Sequence, residues 1–255
     1  MKHIPRRRFG QNFLIDAGVI DAIVAAIAPQ RGDKLVEIGP GLGALTAPLL
    51  ARLDHLRVIE IDRDLIARLQ RRYPAERLSI HEGDALRFDF AALGHDLRLA
   101  GNLPYNISTP LLFHLADYAE HIRDMHFMLQ KEVVERMVAT PGDGDFGRLS
   151  VMLQYRFHLE WLLDVPPESF DPPPKVQSAV VRLIPRPAAD LSAKNPRRFA
   201  QIVQIAFAQR RKMLRNTLKG ILDEAAFAAL GIPPTLRPED LPAEDYVRIA
   251  NFLEG

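Results

Sequence analysis

No cysteine occurs in the 255-residue chain, which excludes disulfides, thiol nucleophiles and thiolate metal sites together and suits a reducing compartment. Nor does any run approach the roughly 18 apolar residues that a membrane-spanning helix needs. The opening MKHIPRRRFGQNFL has no apolar core of the secretory kind. These absences predict a soluble, cytoplasmic protein with no membrane partner. Metal chemistry finds little footing either, because the eight histidines are scattered and form no H-E-x-x-H pair. PGDGDFG (141–147) superficially resembles a calcium loop, but Gln154 stands where the bidentate acid belongs. It reads instead as a mobile glycine-rich loop.

With 47% apolar residues, the chain can bury one full core and a smaller second one, so two domains are expected. The net charge of +1 is unevenly spread. Lys2, Arg6, Arg7 and Arg8 have no acid among residues 1–13, and eight Lys or Arg between 194 and 219 have none either. Two basic tracts in a balanced chain point to a polyanion, most commonly nucleic acid.

From residue 34, short β-rich runs alternate with segments of helical period. The runs are KLVEI (34–38), LRVIEI (56–61), LSIHE (78–82), LRLAG (97–101) and MHFML (125–129). Repeated βα units predict a mostly parallel sheet with helices on both faces, and ligands at the carboxyl ends of its strands. LEWLLDVPPESF and SAVVRLIPRP add two strands that can pair antiparallel at the edge, flanking a Pro-rich loop. Beyond RPAADLSAKNP the pattern is helical, with Asn195 as cap and Pro196 in the first turn of one segment, 196–222. That segment would carry Arg211, Arg215 and Lys219 as a basic stripe opposite Ile202, Ile205, Ala206, Met213 and Leu218. The domain boundary is expected near residue 187, giving domains 1–187 and 188–255.

The first run enters EIGPGLGALT, where Gly39, Gly41 and Ala44 fit the G-x-G-x-x-G/A spacing of a nucleotide-binding turn. Glu60 ends the second strand, placed to accept from both hydroxyls of a ribose. These residues do not choose between a dinucleotide and S-adenosylmethionine. Asp84, ending the third strand, can accept from an adenine amino group, and Pro40 deletes an N–H that a pyrophosphate would use. The same rim carries GNLPYN (101–106). An aromatic amine is a poor nucleophile, but two acceptors can turn its lone pair toward an electrophile and stabilise the charge that develops. The Asn102 side chain and a backbone carbonyl in Leu103–Pro104 can form that pair, and Tyr105 can stack a flipped base. The competing reading is an asparagine that caps a helix starting near Ser108, with Tyr105 simply packed.

FGQNFL (9–14), EIGPGLGALT, VIEIDRDL (58–65), GDAL (83–86), GNLPYNISTPLLFHL (101–115), FDPPPKVQSAVVRL (170–183) and FAQRRKMLRNTL (207–218) together resemble the bacterial 16S ribosomal RNA adenine dimethyltransferases along essentially the whole chain. The resemblance implies a Rossmann-like, seven-stranded, mostly parallel α/β sheet of the class I methyltransferase kind, with a small C-terminal all-helical domain that contacts RNA. It implies S-adenosyl-L-methionine as methyl donor, no metal, and a monomer. The implied reaction is dimethylation at N6 of two adjacent adenosines in a hairpin near the 3′ end of 16S rRNA, late in assembly of the pre-30S subunit. By position, Asn12, Leu14, Gly39, Glu60, Asp84 and Asn102 would contact the cofactor. Asn102, Leu103, Pro104 and Tyr105 would face the target base, with Phe170 as a second aromatic wall.

Overall fold

A computed structural model describes residues 12–255; Arg6, Arg7, Arg8 and the first half of FGQNFL lie outside the described residues. In chain order the elements are β1 (Phe13–Leu14), α1 (Ala17–Ile27), β2 (Lys34–Ile38), α2 (Thr46–Leu50), β3 (Leu56–Glu60), α3 (Arg63–Arg72), β4 (Leu78–Glu82), β5 (Leu97–Asn102), α4 (Ser108–Ala116) and β6 (Ile122–Gln130). Next come α5 (Lys131–Val138), α6 (Arg148–Arg156), β7 (Phe157–Val165), β8 (Phe170–Asp171) and β9 (Ser178–Pro185). The remainder holds α7 (Pro196–Ala208), α8 (Leu214–Thr217), α9 (Glu224–Leu230) and α10 (Ala243–Phe252).

Seven strands form one sheet in the order β4-β3-β2-β5-β6-β9-β7. The five from β4 to β6 are parallel, and β9 runs antiparallel to β6 from Met125↔Leu183 to Gln130↔Ser178. From Leu35 to Ile38 every residue of β2 is buried, so both faces of the sheet are covered there, and Glu37 is carried into the interior among apolar neighbours. Strand order reverses between β2 and β5, which opens a crevice at their carboxyl ends. The two-residue strands β1 and β8 pair antiparallel beside this sheet, Leu14 opposite Phe170. Neither strand is long enough to show a period in sequence.

Two helix starts near the sequence's clearest cap signals follow their side chains. Asp62 caps α3 through a hydrogen bond from Asp64 N, and Leu65, Ile66 and Leu69 turn inward. Asn195 caps α7, accepting from Arg198 N at 3.1 Å, with Pro196 in the first turn. Phe199, Ile202, Val203 and Ala206 then fill one side, each large side chain contributing about 1.5–3 kcal/mol by burial.

The expected single helix over 196–222 is instead two. Continuing the apolar series past Ala206 would bring Arg210 onto the inward side. The helix stops at Ala208, Arg210 turns to Glu239 at 2.6 Å, and α8 begins after a five-residue turn. Ile205 and Met213 are exposed rather than buried.

The described chain divides into two compact units, residues 12–134 with 159–185, and residues 135–158 with 186–255. The second unit thus takes in a mid-chain stretch that the sequence reading gave to the first. Phe146 and Val151 explain why: both are fully buried in one cluster with Phe199, Tyr246 and Ile249. Phe146 also anchors the glycine-rich loop, which Asp143 braces by accepting from Thr140 N and Oγ1. Gln154, the residue that spoiled the calcium pattern, donates to the carbonyls of Met137 and Ala139.

Candidate active site

The turn after β2 is shaped by backbone that few other residues adopt. Gly39 and Gly41 have φ of 66° and 57°, a region that glycine enters without strain. A Cβ on Gly41 would also lie 3.3 Å from the Phe13 ring. Gly39 N donates to Ile59 O at 2.9 Å, tying the turn to the end of β3. Glu60, which ends that strand, accepts at Oε1 from Ile61 N and Asp62 N, both 2.9 Å, and at Oε2 from Gly41 N at 3.4 Å. Burial pushes its carboxyl above the usual range while the three backbone N–H groups oppose that rise. Asp84 spends Oδ1 on Leu86 N at 2.9 Å, leaving Oδ2 for a ligand.

Beneath the turn Glu37 is buried and accepts from Thr46 Oγ1 at 2.6 Å. Burial first, then the nearby charge of Glu60, raises its pKa to about 7, against the pull of the Thr46 hydroxyl.

Asn102 ends β5. Its Nδ2 donates to the Asn12 carbonyl at 3.1 Å, so Oδ1 is the amide's acceptor end toward the crevice. The helix-cap alternative does not hold for this residue, because α4 starts with no side-chain cap. Pro104 O already accepts from Ile107 N at 3.1 Å and Ser108 Oγ at 3.0 Å. Of the two backbone carbonyls that sequence left open, Leu103 O is therefore the uncommitted one. Tyr105 is half-buried, with its hydroxyl 2.8 Å from Ser178 Oγ, and burial raises its pKa.

These groups line one cavity of about 290 Å³. Asn12, Leu14, Gly39, Gly41, Glu60 and Asp84 are brought together there with Asn102, Leu103, Pro104 and Tyr105. Phe170 is not among the lining residues. It is 3% exposed and packs in the core cluster that also holds Leu14, its partner across the β1–β8 ribbon. Phe13, Leu45 and Ile61 line the cavity without having been read from sequence. For Ile61 there was a signal, an apolar residue directly after Glu60 at a strand end; it is nearly half exposed.

An adenosine-bearing ligand fits this donor set. Glu60 has acceptor capacity for a ribose, Asp84 for an adenine amino group, and the missing Cβ at Gly41 leaves backbone open to contact. With the acceptor pair at Asn102 and Leu103 on the same crevice, fold and site define a Rossmann-like methyltransferase. The family model of ribosomal RNA adenine dimethylase matches residues 2–255, and the chain belongs to that family. A ribosomal RNA small subunit methyltransferase A of Dechloromonas aromatica (strain RCB) is 69% identical over 251 residues, 98% of each chain. Its counterpart in Thiobacillus denitrificans (strain ATCC 25259 / T1) is 65% identical over 251 residues, again 98% of each. Among solved structures, a dimethyladenosine transferase from Plasmodium falciparum matches with a TM-score of 0.78 at 28% identity, over 93% of this chain and 95% of its own. The 23S rRNA methyltransferase ErmE matches at 0.70 and 26%, over 96% and 100%.

Proposed function

We propose that the enzyme transfers methyl groups from S-adenosylmethionine to N6 of two adjacent adenosines in a hairpin near the 3′ end of 16S rRNA, two to each, late in assembly of the pre-30S subunit, as a cytoplasmic monomer. The observation that carries the chemistry is the orientation of Asn102: its Nδ2 is spent on Asn12 O, so Oδ1 and the uncommitted Leu103 carbonyl form a pair of acceptors beside the cofactor crevice.

The cofactor supplies, when bound, a methyl group activated on a sulfonium. Glu60 would hold its ribose, Asp84 its adenine amino group, and the Gly39–Gly41 turn its backbone-facing side. Asn102 Oδ1 and Leu103 O accept the two N6 hydrogens of the target adenine. That orients the nitrogen lone pair and stabilises positive charge as it attacks, worth on the order of 10²–10³ in rate for each such contact. The proton leaves after that charge has formed. Tyr105 presents the stacking face, while Phe170 supports the ribbon that carries Asn12.

Unmethylated small and large ribosomal subunits, each incubated with the protein and methyl-labelled cofactor, test this reading. Label is expected on two neighbouring adenosines of the small-subunit RNA, and Asn102→Ala should lower its rate of entry by at least about 10² while the protein stays folded. Label confined to the large subunit would overturn the assignment.

A further inference from the structure

Tyr105 stands in the turn between β5 and α4, where no strand ladder holds it. Its phenol reaches past the end of β6 to β9, meeting Ser178 Oγ at 2.8 Å. Ser178 is the first residue of β9, fully buried, and paired with Gln130 in the β6 ladder. The ladder continues one step further through Lys131 N to Gln177 O at 2.9 Å. A serine has one side-chain torsion, so a hydroxyl on a ladder-fixed strand is a rigid anchor. A stacking wall needs only a ring, for which phenylalanine would serve; the hydroxyl is the part that stacking leaves unexplained.

We infer that Ser178 is a positioning residue for methyl transfer: its hydroxyl holds the Tyr105 ring at the angle at which a target base stacks in line with Asn102 Oδ1 and Leu103 O. The inference rests on the proposed role of Tyr105 as the base's stacking face. Misplacing a bound base by an ångström costs up to about 10² in rate, so the loss belongs in kcat. Cofactor binding, built from Glu60, Asp84 and the glycine turn, is untouched.

The test is a double-mutant cycle in the full-length enzyme on unmethylated small subunits, with cofactor affinity measured by calorimetry. Ser178→Ala and Tyr105→Phe are each expected to lower kcat about tenfold and leave cofactor affinity within about twofold. The double variant should be no slower than either single one, and Ser178→Thr, which keeps the hydroxyl, should recover most of the rate. Unchanged kcat in Ser178→Ala, or losses that multiply in the double variant, would overturn the inference. If Ser178→Ala does not fold, Tyr105→Phe removes the same hydrogen bond from the other side, and wild-type kcat there overturns it as well. Tyr105→Ala separates the two ideas. An inactive Tyr105→Ala beside a fully active Ser178→Ala sinks the Ser178 inference alone, whereas a fully active Tyr105→Ala sinks the stacking role on which it rests.

Discussion

A methyl group added at Gly101 would sit 2.4 Å from the Ile38 carbonyl oxygen, so either β2 or β5 must move to admit it. Both strands end in the site, β2 in the glycine turn and β5 in Asn102. Gly101→Ala should therefore cost about 1–3 kcal/mol of stability and also weaken cofactor binding, a pairing that thermal melts and calorimetric titration would reveal. A surface glycine such as Gly32, with nothing within 4 Å of its added Cβ, should change neither. This constraint could not be seen in sequence, where Gly101 is one small residue at a strand end. The same limit explains two other differences. The order of residues could not say whether Leu103 or Pro104 keeps a free carbonyl, since that depends on Ser108 folding back to Pro104 O. Nor could it place Phe170, whose direction is set by pairing with Leu14 across 156 residues of chain.

Strands and capped helices were the readable elements, because period and cap chemistry are local. KLVEI and LSIHE match β2 and β4 end for end, and Asn195 caps as its type suggests. The break after Ala208 was hidden, since its cause is an arginine drawn to Glu239, far along the chain. Two buried groups on different strands make a further prediction. His126 on β6 is held near a pKa of about 4, chiefly by burial, with the charges of Arg98 and Arg182 adding to the depression and Asp124 opposing it. Unfolding restores its proton affinity near 6.5, so the unfolded chain binds more protons between pH 4 and 6.5, and stability falls as pH drops through that window. Glu37 on β2 does the reverse. Its pKa of about 7 when folded lies above the ordinary 4.5, so stability falls as pH rises from 4.5 to 7. Each effect is about 3 kcal/mol, with opposite sign. The wild-type profile therefore sums these two opposing slopes, and a variant at either residue exposes the other. Glu37→Gln should gain stability as pH rises toward 6.5, and His126→Leu should lose it toward 7; parallel profiles for the two variants would refute the assignment.

Charge acts over the molecule as a sum, and here the sum of +1 conceals a division of labour among cations. Arg98 is buried, bound to Asp33 at 2.7 Å and Asp124 at 2.8 Å. Arg210 is committed to Glu239. Such pairs contribute structure and have little charge left for a partner. Arg211 and Lys212 are exposed in the turn between α7 and α8, Arg215 on α8 and Lys219 just past its end, with no acid paired to them among the described residues. They do not form the single-helix stripe that their spacing suggests, yet all four stay exposed within nine residues of chain. If they neutralise phosphates, each releases counterions and adds about 0.7–0.9 to the slope of log affinity against log salt. Replacing all four by alanine should lower that slope by roughly 3 for binding to the unmethylated small subunit, with cofactor affinity unchanged. Arg210→Ala is the control: it should lower the melting temperature and leave the slope almost as it was. An unchanged slope in the fourfold variant would mean that these cations face only water and take no part in binding the subunit.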